Sequence, residues 1–147
     1  MSMFTSLEVS GAALGAERQR AEVVAANMAN AETTNTPEGG PYRRKEVVFA
    51  SSGNQAFRMM LADYNGFHAA QRPSVRVQKV VDDPTPPLMR YEPGHPDANK
   101  DGYVAYPAIN PTEEMVDLMG AVRSYQLNAS AVAASKQMIQ ESISLLK

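Results

Sequence analysis

Ten positions near the C-terminus, spaced alternately by three and four, constrain this chain more than anything else in it. They read Met115, Leu118, Val122, Tyr125, Ala129, Val132, Lys136, Ile139, Ile143 and Leu146. Their average step of 3.5 residues lays one apolar seam along a helix, with Lys136 its only charged member. Asn110 supplies an N-cap, Pro111 suits the first helical position, and Glu113 falls in the first turn, where an acid complements the helix dipole. A helix from Pro111 to the end would be about 55 Å long, whereas a compact chain of this length is roughly 40 Å across. Such a helix overhangs its own globule, and its seam needs another helix to cover it.

A second seam runs through Phe4, Leu7, Gly11, Leu14, Arg18, Ala21, Ala25 and Met28, interrupted only by Arg18. Gly11, Gly15 and the pair Val23-Val24 make this segment a weak helix in isolation, so it should order only when packed. The expected architecture is mainly α: an N-terminal helix over 1–30, a loop and small β-rich insert over 31–110, and a C-terminal helix over 111–147. The two helices are expected to form a coiled-coil-like pair around which the central short strands are inserted.

The insert has a different character. Residues 31–41 (AETTNTPEGGP) are turn-forming. Tyr42 to Phe49 and Ser74 to Val81 read as strands, the second with Val75, Val77 and Val81 on one face and Arg76 and Gln78 on the other. Ala56 to Leu61 fits either a strand or a helical turn. Leu88 to Tyr91 and Tyr103 to Tyr106 read as short strands flanking the loop 92–102, and the surrounding prolines confine strands to short edges.

Several chemistries lack the residues they need. Without cysteine there is no disulfide scaffold, thiolate metal site or thiol nucleophile. A net charge of −2 and the lack of a dominant basic patch argue against nucleic acid as the main partner. No apolar run is long enough to span a bilayer, and Glu8, Glu17, Arg18, Arg20 and Glu22 break up the apolar stretch a secretory signal would need. Residues 97–102 (DANKDG) match half of a calcium loop, but Ala108 stands where the bidentate glutamate belongs, so a tight turn is the better reading. His68 and His95 lie in different loops with no second ligand at metal spacing, Asp82 and Asp83 precede Pro84 as a strand stop, and no catalytic or phosphate-binding motif occurs. No cofactor or metal is expected. The cluster Arg43, Arg44, Lys45, followed by Glu46, suits a solvated strand or an ion-paired subunit contact.

Residues 24–30 (VAANMAN), followed by a threonine-rich loop, resemble the N-terminal signature of the bacterial flagellar axial proteins of the rod and hook. Three further strings, 39–49, 91–119 and 123–132, are similar to the proximal-rod members of that family; the signature residues are Asn27 and Asn30 in the first segment and Tyr42, Pro93, Gly94, Gly102 and Tyr103 in these strings. The resemblance implies a non-enzymatic structural subunit whose terminal helices pack with those of its neighbours. Its implied partners are copies of itself, other rod proteins, the export apparatus and the rod-base adaptor. It also implies export through the flagellar type III system. Phe4, Leu7, Leu14, Ala21, Ala25, Met28 and the apolar C-terminal seam are the expected assembly interface. A cytosolic coiled-coil adaptor or export chaperone is the rival reading, and it would stay soluble where a rod subunit co-purifies with basal bodies.

Overall fold

A computed structural model of the chain describes residues 3–51 and 74–145. In order along the chain come α1 (Met3–Ala29), β1 (Lys45–Ser51), β2 (Val75–Asp82), β3 (Leu88–Tyr91), β4 (Tyr103–Tyr106) and α2 (Pro111–Ser144). Among the described residues, two long helices thus bracket a strand region built as two separate two-stranded antiparallel sheets, β1 with β2 and β3 with β4. The segment Ala56 to Leu61, His68 and Leu146 lie outside the described residues.

α2 begins as its sequence dictates. The Asn110 side chain accepts a hydrogen bond from the Thr112 N–H at 3.1 Å, and Pro111 occupies the first turn, where its missing N–H costs nothing. At 34 residues the helix is about 51 Å long.

α1 and α2 run antiparallel, as three contacts show. Asn27 meets Glu114, Arg20 meets Asp117, and Ser6 meets Ser135, so positions fall along one helix as they rise along the other. By the same register Met3 is level with about Met138, and the final turns of α2 extend past it. Exposed Ile143 and Leu145 lie on that extension.

The row on which the helices meet is not the apolar seam. The buried α2 positions are Glu114, Ala121 and Ser135, with half-buried Asn128 completing the seven-residue step. On α1 they are Ala16, Val24 and Asn27. Small side chains let two helix backbones approach closely, and that contact line lies one residue, about 100°, around α2 from Met115 and Val122. The seam is therefore divided. Leu118, Ala129, Val132 and Ile139 are half-buried beside the contact line, whereas Met115 (54% exposed), Val122 (44%), Tyr125, Lys136 and Ile143 face outward. On α1, Leu7, Leu14, Ala21 and Met28 are half-buried, while Phe4, Gly11, Arg18 and Ala25 are exposed.

In the strand region, α1 packs on both β1 and β2. Their pairing shifts at Val48/Phe49, where Val48 faces Lys79 and Phe49 faces Val77, leaving Gln78 as the extra residue of a bulge. β1 starts at Lys45 and not at Tyr42, because Tyr42 and Arg44 are drawn off to other partners described below. The β3–β4 hairpin and the segment that follows it carry the second buried cluster, Val104, Tyr106 and Ile109. Its loop closes on Asn99, whose Oδ1 accepts from the N–H groups of Asp101 and Tyr103, both at 2.9 Å. Gly102 follows with φ +81°, and a Cβ there would stand 2.9 Å from the Tyr91 ring, so glycine is required on two counts.

Candidate functional site

Where the base of the helix pair meets the first sheet, a polar junction is buried. Asn27, in the last turn of α1, has no exposed surface, and Glu114, in the first turn of α2, is 1% exposed. Burying such groups is costly unless every donor and acceptor is matched. Asn27 meets that condition. Its Oδ1 accepts from the Lys45 N–H at 2.9 Å and the Tyr42 hydroxyl at 3.2 Å. Its Nδ2 donates to the Lys45 carbonyl at 2.9 Å and to Glu114 Oε2 at 3.0 Å. Pairing both backbone groups of Lys45 makes the side chain act as a one-residue strand neighbour to the start of β1.

Glu114 in turn holds Arg44, whose Nε donates to Oε1 at 2.5 Å. The same guanidinium pairs with Glu46 and stands 3.8 Å from both Asp83 and Asp117. Burial alone would lower the Arg44 pKa, but the hydrogen bond and charge of Glu114, then those of Glu46, raise it above its usual value. Four carboxylates on β1, α2 and the residue after β2 thus share one cation.

Asn30 fixes the exit from α1. Its amide nitrogen donates to the Ala26 carbonyl at 2.9 Å, and its Oδ1 accepts from the Thr33 hydroxyl at 3.1 Å. The Thr33 carbonyl then receives the Tyr42 N–H at 3.0 Å, returning the chain to the junction. The other signature residues gather in the hairpin. Tyr103 packs edge-to-face on Tyr91 at 5.3 Å, Pro93 stands beside Gly102, and the hairpin ties to the loop after α1 through Thr34, which donates to Asp97 at 2.7 Å. Gly94 is exposed in the same loop.

Tyr42 makes the junction sensitive to alkali. Burial first, and then the charges of Asp82 and Glu114, raise its pKa above the ordinary value of 10.0. A phenol whose folded pKa is raised contributes stability that is complete below pH 10 and is lost as pH climbs through the folded value. Denaturant midpoints should therefore fall from pH 10 upward in the native protein. In Tyr42→Phe that fall should be shallower, and equal slopes would remove Tyr42 from the account.

Two junction residues escape sequence reading. Arg44 looks like one of three surface cations, and Glu114 like a solvated first-turn acid beside Glu113. They stand 70 positions apart, and no local spacing in the sequence links them. Among the described residues no group of side chains is arranged to hold a metal ion.

Residues 100–145 match a family model described as the C-terminal part of the flagellar basal body rod FlgEFG proteins. Over its full length the chain is 37% identical to the flagellar basal-body rod protein FlgC of Borreliella burgdorferi, covering 100% of this chain and 99% of that one. It is 38% identical to the protein of the same name from Bacillus subtilis, over 100% of both. With that of Yersinia enterocolitica the identity is 35%, covering 99% of this chain and 98% of the relative.

Proposed function

Since this chain belongs to the family of flagellar basal-body rod proteins FlgC, and is a structural subunit of the rod, we propose that its helix pair is the element that assembles. The observation carrying this reading is the divided seam. Met115, Val122, Tyr125 and Ile143 on α2, and Phe4 on α1, are large apolar side chains left outside the contact line of the pair. Each could contribute about 1.5–3 kcal/mol if buried fully against a neighbour. Coiled-coil-like packing then arises between subunits as well as within one, around a central channel, with neighbours being copies of this chain and other rod proteins. Helical assembly requires one surface to complement a different one on the next subunit, and the apolar groups left outside the helix pair lie on both α1 and α2.

In this reading the rod transmits torque, lines the export path, and meets the export apparatus and rod-base adaptor at its proximal end. The names of the relatives fit a structural part and not an enzyme. No described helix is long and apolar enough to cross a membrane. A weak α1, marginal until packed, suits a subunit threaded unfolded through the flagellar type III apparatus and ordered on arrival. The test is fractionation. Epitope-tagged chain restoring motility to a deletion strain should co-purify with detergent-extracted basal bodies, and a chain found only in the soluble pool would overturn the proposal.

A further inference from the structure

Between α1 and α2 lies a groove of about 270 Å³ lined by Glu17, Arg18, Ala21, Ala121, Val122 and Tyr125. Glu17 Oε2 is closed off from solvent there and has no hydrogen-bond partner, alone in this among the buried side-chain polar atoms of the described residues. Arg20 stands 4.0 Å from it, beyond hydrogen-bond reach, and extends its other nitrogen to Asp117 at 3.4 Å. Arg18 is turned to Glu22 at 2.9 Å. The Glu17 side chain nevertheless keeps 19% of its surface open, so it is the exposed edge of this carboxylate, in a mostly apolar groove, that can take a donor from outside.

A complementary feature lies on the outward row of α2: exposed Met115, Val122, Lys136 and Ile143, with half-buried Ala129 between them, one residue in seven. Lys136 is its single charge, is exposed, and has no ion pair among the described residues. It cannot reach Glu17 of its own chain. Ser135 sits beside Ser6, so Lys136 is eleven or twelve residues, roughly 17 Å, along the pair from Glu17.

Resting on the assembly reading above, the geometry points to a specific contact between copies. The groove receives the outward α2 row of a second copy of the same polarity, and that copy's Lys136 donates to Glu17. The required axial stagger is the separation of Lys136 from Val122, two heptads or about 21 Å. A two-heptad shift keeps the row in register, setting Ile143 of the second copy level with Ala129 and its Ala129 level with Met115. The lysine stem would lie along Ala21 and Tyr125 while its ammonium reaches the carboxylate. One charged pair in an otherwise apolar row selects this stagger over shifts by one or three heptads, which would bring an apolar residue to Glu17.

Zero-length carbodiimide coupling of purified basal bodies, followed by peptide mass spectrometry, should yield a Glu17–Lys136 amide that is missing from dilute monomer treated alike. Glu17→Lys and Lys136→Glu should each reduce hook-bearing basal bodies by about tenfold or more, since removing one partner of a shielded pair is strongly destabilising. The two exchanges in one chain should restore them, and circular dichroism of each purified variant checks that the monomer folds. If native chain is present in basal bodies but forms no such amide, and the double exchange rescues nothing, this contact is wrong while the rod assignment stands. Absence of native chain from basal bodies would overturn both.

Discussion

Glu114→Ala is expected to destabilise the monomer by about 3–5 kcal/mol, the usual result of stripping one partner from a buried ion pair. The substitution leaves Arg44 without its 2.5 Å acceptor and Asn27 with a buried donor unmatched. Three elements then lose their common anchor, because Asn27 binds the start of β1 and Arg44 belongs to the segment entering it. The loss should appear as a lower denaturant midpoint followed by circular dichroism. Combining Glu114→Leu with Arg44→Met should cost clearly less than Glu114→Ala, because the guanidinium is then no longer left without its buried partner and the carboxylates that lose it, Glu46, Asp83 and Asp117, are all more exposed than Glu114. If the double variant is as unstable as the single one, the ion pair is not what holds the junction.

Val122→Asp is expected to abolish motility while changing monomer stability by less than about 1 kcal/mol, as suits an outward-facing position. Val122 lies on the outward row, 44% exposed, so a carboxylate there remains hydrated in the monomer and is desolvated only when a neighbour docks. Leu118→Asp should also abolish motility, but by a different route. Leu118 is half-buried beside the contact line, so its replacement should destabilise the helix pair itself by about 2–3 kcal/mol, and Ile139→Asp should behave in the same way. Motility lost in both with the monomer fold weakened only in the second would separate the two sides of α2. A motile Val122→Asp strain with normal rods would sink the assembly proposal.

Much of the molecule was legible in local patterns. Asn110-Pro111 announced the start of α2, alternation in Val75 to Val81 announced a strand, and the tyrosines around residues 92–102 announced a hairpin. Each is a short-range effect: a cap bonds two residues on, a strand alternates with period two, and Gly102 serves a turn built by Asn99. The signature residues were legible as a resemblance, though what Asn27 does was not, because its four partners come from Tyr42, Lys45 and Glu114. A residue eighty-seven positions away leaves no trace in local spacing.

Periodicity determined that both ends are helices with one greasy side, since the 3.5-residue step is written into the side chains themselves. Which side faces inward was decided only in three dimensions. Close approach of two backbones favoured Ala121 and Ser135 over the larger residues beside them, since small side chains shorten the distance between helix axes, and at the base of the pair the hydrogen bonds of Asn27 and Arg44 drew Glu114 into the same row. The largest apolar groups were thereby displaced to the edges and the outside of the pair, where neighbouring subunits can cover them.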